Sequence, residues 1–496
     1  MFCYFFRRGL FLLVLSLLWA GPALAQPLEE KVYEHTFANG LRLLVVERHE
    51  SPTFAAYITF GVGSANETSE TRGVAHLLEH MLFKGTKTLG TKDYVREKPL
   101  LDAIEEVGEA LDALRRQRPS ESQKIAELEK ELARLQQEHS QYVVKDEFSR
   151  IYSENGGVGY NAYTSKDLTT YLISLPANKL ELWAALESDR MKNAVLREFY
   201  TERNVIMEER RRSYESEPDG LLYENLLAAA FTVHPYRNPI IGWMSDIENL
   251  SLKETRDFLR KYYAPVNTVI TLVGDIDTAA AVSLVEDYFG TIPAGEPVPK
   301  VTAVEPPQKG EKRIHVRFDA EPQLAIAYHK PTLPERADYV FDVIDQILSQ
   351  GRTSRLYRAL VVEKGLAASV STYSAPGSRY PNLFVISATP RHPHTLAEVE
   401  EAIYAELGRL AQEPVSDEEL EQARNRLRVD RLRYLKGNSG LARMLSYYQS
   451  VAGDWRYLVG YDQEIASMTA AEIMETASLW LVAQNRTVTV LDKEED

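Results

Sequence analysis

GVAHLLEHMLFKGT, Gly73 to Thr86, has the apolar density of a buried helix, yet it places His76, Glu79 and His80 within five positions. On a helix, residues three and four apart share a face, so His76 and His80 project side by side, with Glu79 three residues from His76 and adjacent to His80. Two imidazoles at i and i+4 can share one tetrahedral Zn²⁺, and a neighbouring carboxylate can take a proton from a water held there. Burying two imidazoles and a carboxylate without ligand or partners would be destabilising by several kcal/mol.

The same stretch recurs without its chemistry. AHLLEHMLFKGTKT aligns with FDVIDQILSQGRTS, which puts Gly85 on Gly351 and Leu82 on Leu348, an offset of about 266 residues. A second pair, DIENLSLKETRDFLRKYYAPVNTVITLVGD and QEIASMTAAEIMETASLWLVAQNRTVTVLDK, puts Ile247 on Ile465 and Asn267 on Asn485, an offset of about 218. Two halves therefore share one plan. The unequal offsets require an insertion of about 48 residues in the first half, between Thr86 and Asp246. His76 falls on Asp342, Glu79 on Asp345 and His80 on Gln346, so this helix can be built without imidazoles.

Periodicity locates the insertion at about 95–145. Leu100, Ile104, Val107, Leu111 and Leu114 follow 4-3-4-3 spacing, and Ile125, Leu128, Leu132 and Leu135 resume it after RQRPSES, where Pro119 breaks the helix. The pattern predicts an antiparallel helical hairpin with coiled-coil spacing, either a solvated spur or a lid or partner-docking arm. VYEHTFANGLRLLVVERH reads as two strands joined at Asn39-Gly40, TTYLISLP as another strand, and NKLELWAALESDRMKN and REFYTERNVIMEERRRSYES as helices. The expected organisation is a signal peptide over 1–25, a first domain over 26–290, a Pro- and Gly-rich linker over 291–312 and a related second domain over 313–496. The fold class is α+β, two related domains, each a mixed or antiparallel sheet covered by helices.

The 496-residue chain is too long for one core, and its formal charge of −15 leaves no basic surplus for a nucleic-acid partner. Arg7 and Arg8 precede an apolar run from Leu10 to Trp19, and Ala23 to Ala25 supply a signal-peptidase pattern, so the sequence predicts export across the inner membrane, to the periplasm in a Gram-negative bacterium. The run is too short for a stable membrane span once the signal is cleaved. The sole cysteine, Cys3, lies within that signal, so no disulfide is expected in the mature chain.

A catalytic zinc usually takes a third protein ligand. The acidic helix TERNVIMEERRRS offers Glu202 and Glu209, seven apart and near one face, and Glu208, about 100° away; spacing alone does not choose among them. The His76-Leu-Leu-Glu79-His80 motif, followed at a distance by ERNVIMEE, resembles the pitrilysin/insulinase family of inverted-motif zinc peptidases. The resemblance extends over GGVGYNAYTSKDLTTYLISLP, HPYRNPIIGWMSDIENL and the repeated second half. It implies one zinc ion per chain held by His76, His80 and Glu209, with Glu79 and Glu202 as the catalytic carboxylates: Glu79 the general base, Glu202 an outer carboxylate behind the ligands. It also implies that peptide substrates join a strand edge near Asn161 and Ala162 and are enclosed in a chamber between halves or subunits.

One departure from the family bears on partners. Active members commonly carry an Arg and a Tyr seven residues apart in the second half, but here LVVEKGLAASV puts Val361 and Ala368 at those places. Neither side chain can donate a hydrogen bond. Some relatives divide the zinc motif and the Arg–Tyr pair between two subunits, so the expected partner is a homologous subunit in a heterodimer, with a homodimer as the alternative; a local residue such as Tyr373 could otherwise substitute. The leading functional reading is a zinc endopeptidase or oligopeptidase. Its competitors are a catalytically inactive scaffold subunit and a zinc amidohydrolase of another substrate class.

Overall fold

The computed structural model describes residues 28–117 and 121–493. The signal-peptide expectation for 1–25, Cys3 and the Pro119 break lie outside the described residues. No helix among those described is long and apolar enough to cross a membrane.

The first half opens with β1 (Tyr33–Thr36) and β2 (Arg42–Glu47), paired antiparallel as the Asn39-Gly40 turn predicts. Asn39 is buried there, its side-chain amide donating to the carbonyls of Phe289 and Ile292 at 3.0 and 3.1 Å, so the turn is bound to the end of the same half. β3 (Thr53–Phe60), β4 (Val158–Thr164), β5 (Thr169–Pro176) and β6 (Thr268–Gly274) complete a six-stranded sheet in the order β1-β2-β6-β3-β5-β4. The second half builds β7 (Lys312–Arg317), β8 (Gln323–Lys330), β9 (Ala367–Ala375), β10 (Asn382–Pro390) and β11 (Arg486–Asp492) into the order β7-β11-β8-β10-β9. In each sheet one pair is parallel, β2 with β6 and β7 with β11, and the rest are antiparallel. Without β1 the two orders are the same, which is the repeat expressed as topology. The fold is two related α+β units, as expected.

Each half also lends a helix to the other. Helix Asn438–Val451 of the second half lies on β3 and β6, where Leu441, Ala442, Leu445 and Tyr448 pack against Leu44, Val46, Ala55 and Tyr57. Helix Pro218–Ala230 of the first half lies on the second sheet, where Leu222, Leu226 and Leu227 meet Val316, Ala325 and Val385. Both sheets are thus covered on their second face by the opposite half, and the halves are interlocked. The proline-rich chain between them is tied down too: the Glu305 carboxylate accepts from the N–H groups of Thr232, Val233 and His234 at 2.7 to 2.9 Å.

The insertion forms helices Tyr94–Arg115 and Ser122–Ser140, antiparallel, with Arg115 reaching Glu129 at one end and Glu97 meeting His139 at the other. It is not a solvated spur. Glu97 is fully buried against Arg197 at 2.6 Å and His139 at 2.8 Å, and Asp112 takes a bidentate pair from Arg203 at 2.7 and 2.9 Å. The apolar seam was visible as spacing; buried ion pairs to residues 91 to 100 positions away leave no periodic trace.

Candidate metal centre

The metal helix, Val74–Met81, is held to the sheet by buried Val74, Ala75, Leu77, Leu78 and Met81, which leaves His76, Glu79 and His80 on its partly exposed side. Its entry is tight. Gly73 sits at φ +89°, and a Cβ there would meet the Ile241 carbonyl oxygen at 2.5 Å. Because glycine has no side chain with which to cap the helix, Glu67 does so: its two oxygens accept from Gly73 N–H and Ala75 N–H, each at 2.9 Å.

The acidic helix, Phe199–Arg210, buries Phe199, Tyr200, Glu202, Arg203, Ile206 and Arg210. This register carries Glu209 to the two imidazoles: its oxygens stand 3.7 Å from His76 Nε2 and 3.6 Å from His80 Nε2. One donor atom from each of His76, His80 and Glu209 lies within 4.8 Å of the other two. Glu208 points into solvent and pairs with Arg211 at 3.0 Å. Glu202 stands behind His80, its Oε1 2.9 Å from Nδ1 and its Oε2 2.5 Å from Lys84 Nζ. With a carboxylate as acceptor, Nδ1–H donates and Nε2 is left bare on the side of Glu209, the arrangement that suits a metal-binding imidazole.

The donor set fits a zinc ion. Two imidazoles and a carboxylate make three protein ligands and leave one position open. His76 and His80 both turn Nε2 towards Glu209, at 3.7 and 3.6 Å, distances too long for hydrogen bonds, so the converging atoms do not satisfy one another. Burial, aided by the neighbouring His80, pushes the His76 imidazole down to about 3 and so keeps it in the neutral, ligating form; its approach to Glu209 is not an ion pair. Burial also lowers His80, but the hydrogen bond to Glu202 and the surrounding carboxylates outweigh it and raise the group. Glu79 is raised by burial, against the pull of a Thr164 hydrogen bond and His80. A carboxyl group moved towards neutral pH is suited to taking and returning a proton.

Asn161 and Ala162 lie on β4, the edge strand, opposite Leu172 and Tyr171 of β5. The metal helix packs beside this strand, and Thr164, which lies beside Glu79, ends it. Asn161 is exposed and Ala162 buried. In the second half Val361 packs partly buried against its own core, while Ala368 is exposed on β9, the other edge strand. Tyr373 is further along β9, its hydroxyl raised by burial and by Asp219 of helix Pro218–Ala230.

The sequence model described as "Insulinase (Peptidase family M16)" matches residues 42–115 and 132–243, and that described as "Peptidase M16 inactive domain" matches 249–427. The chain belongs to peptidase family M16. The stretch left between the matched parts of the first half includes the first half of helix Ser122–Ser140. A protein from Helicobacter pylori named zinc protease PqqE is 26% identical over 451 residues, which cover 89% of this chain and 88% of that protein. Among solved structures, a protease from Helicobacter pylori superposes with a TM-score of 0.78 at 24% identity, covering 93% of this chain and 99% of that one. A peptidase M16 inactive domain from Pseudomonas fluorescens gives 0.74 at 19%, covering 94% and 98%. Both share the fold of this M16 chain.

Three supporting residues escaped sequence reasoning: Glu67 at the helix entry, Lys84 on Glu202 and Thr164 on Glu79. None of the three shows in helical spacing: Lys84 comes four positions after His80, but beyond the end of the helix at Met81.

Proposed function

We propose that this M16 chain is a zinc-dependent endopeptidase or oligopeptidase that acts on extended peptides and small unfolded proteins, and that it is the zinc-bearing subunit of a dimer. The observation carrying this reading is the convergence of His76, His80 and Glu209 beside Glu79 and next to the open edge of β4. His76, His80 and Glu209 would hold the ion, one per chain. When bound, zinc supplies positive charge that polarises a carbonyl and acidifies water near neutral pH. Glu79 takes the proton from the attacking water and returns it to the leaving amine. Glu202 and Lys84 fix the orientation and tautomer of His80. A substrate paired along β4 at Asn161 and Ala162 gains main-chain hydrogen bonds without demanding a sequence.

The interlocked halves support the dimer. Two units that exchange helices cannot swing apart as a clamshell, so a chamber that opens and closes around substrate needs a second chain. Val361 and Ala368 supply no donor for the developing oxyanion, and losing one such donor lowers rates by about 10²–10³. A homologous subunit carrying the missing pair is the partner this reading favours, with a second copy as the alternative. Export to the periplasm, from the pattern at 7–25, completes the reading.

Mass-spectrometric mapping of peptide cleavage by the purified chain, with and without chelator, tests the activity. Turnover before and after addition of a co-purifying homologue tests the partner. Chelator-insensitive cleavage would overturn the zinc peptidase; full turnover by the isolated chain, unchanged on addition, would overturn the split site.

A further inference from the structure

HPYRNPIIGW, His234 to Trp243, closes the matched part of the first half, and no function has been assigned to it above. Its turn, Asn238 to Gly242, lies between the two helices that carry the donors. On the metal-helix side the contact is backbone against backbone. Gly242, at φ +85°, is close enough that a Cβ would meet Arg72 O at 2.9 Å and Gly73 Cα at 3.0 Å, and Gly73 is equally close to Ile241. On the acidic-helix side, Arg210, the residue after Glu209, donates from Nη1 to the Gly242 carbonyl at 2.8 Å. That guanidinium is buried and paired with Glu224 at 2.8 and 3.1 Å. The start of the turn is held as well: fully buried Lys166 donates from Nζ to the Asn238 carbonyl, and Gly242 N–H closes on Pro239 C=O at 3.1 Å.

On the metal-helix side the touching backbones leave no rotamer to change, and on the acidic-helix side the Arg210 side chain is buried and fixed by its paired bonds to Glu224. The turn therefore acts as a spacer of fixed thickness, with the imidazole pair on one side and Glu209 on the other. We propose that Asn238–Gly242 sets the separation of His76 and His80 from Glu209, and that Arg210 is a positioning residue that acts through Glu209. The inference rests on the metal reading given under Proposed function and adds the part of the chain that holds the ligands in register.

A double-substitution cycle on the full chain tests it. Zinc dissociation constants are measured by competition with a chromogenic chelator for wild type, Arg210→Met, Glu209→Gln and the pair, and the visible spectrum of the cobalt-loaded protein reports ligand geometry. Arg210→Met is expected to weaken zinc about tenfold and to alter the cobalt spectrum; in the Glu209→Gln background the further loss should be under about twofold, because the residue through which Arg210 acts is already disabled. Arg210→Lys, whose ammonium can still reach the Gly242 carbonyl, should recover part of the affinity. Should Arg210→Met fail to fold, Glu224→Gln, which frees the guanidinium from its other partner, carries the same expectation. Equal losses in both backgrounds, or no loss in either, would make Arg210 an ordinary buried ion pair and overturn the proposal. A wild-type chain that binds no zinc, or a Glu209→Gln chain that binds it as tightly as wild type, would overturn the metal reading and this inference with it.

Discussion

Helices Val74–Met81 and Arg336–Leu348 occupy the same place in the two repeats, but they treat their polar residues in opposite ways. In the second half Asp342 accepts from Tyr461 Oη at 2.7 Å, and Asp345 accepts from Thr372 Oγ1 at 2.5 Å and Gln350 Nε2 at 3.1 Å. Every partner comes from the same half, and the site is closed. In the first half the corresponding His76 and His80 turn Nε2 towards Glu209 at only 3.7 and 3.6 Å, too long for hydrogen bonds. One scaffold thus supports a self-satisfied core and a set of converging donors that are left unsatisfied. The second has the donor types and spacing that suit an ion.

The largest expected effect contrasts Glu79→Gln with Asp345→Asn. The first should retain zinc and lower peptide turnover by about 10²–10⁴, the range for loss of a general base, while the second leaves turnover unchanged. Metal content and kcat on an unstructured peptide decide; near-native turnover in Glu79→Gln would erase the functional difference between the helices. His80→Ala should lose both zinc and hydrolysis.

Next comes the acidic helix. Glu202→Gln, which loosens His80, should weaken zinc about 10–100-fold, Glu209→Gln should weaken it more, and Glu208→Gln should have no effect. Metal retained after dialysis against a weak chelator ranks the three, and equal losses for Glu208 and Glu209 would contradict the assigned ligand.

The smallest effect belongs to the closed helix. Asp342 is pushed up to about 7 by burial and the nearby Asp338 and Asp345, against the pull of Lys330 and the Tyr461 hydroxyl; Tyr448 and Tyr339 also face it. An unfolded chain releases that proton near pH ~4. Between there and about 7 the folded state binds more protons than the unfolded state, so this group's contribution falls as pH rises. Asp342→Asn should therefore flatten part of the decline in melting temperature from pH 5 to pH 8 and stabilise the protein at the upper end. Parallel slopes for wild type and variant would mean that Asp342 is not protonated in the fold.

The legible part of this protein is local. Spacing within Val74–Met81 identified His76, Glu79 and His80, the alignment of Gly85 with Gly351 exposed the repeat, and unequal offsets located the hairpin, because helical periodicity and chain order are properties of neighbouring residues. Glu202, Glu208 and Glu209 could not be separated in the same way. Their spacing was known, but which of them turns towards imidazoles more than 120 positions away depends on how the acidic helix is rotated when Ile206, Arg203 and Arg210 are buried.

The sequence by itself determined a duplicated α+β chain with a two-histidine helix in one copy only. Tertiary structure alone decided that Glu209 faces the imidazoles, that the hairpin is docked by Glu97 and Asp112, that the halves exchange helices and that β4 presents an open edge beside Glu79. The reason is physical: these contacts join residues far apart in the chain through buried charges and shared cores, and their energies exist only once the intervening segments have packed.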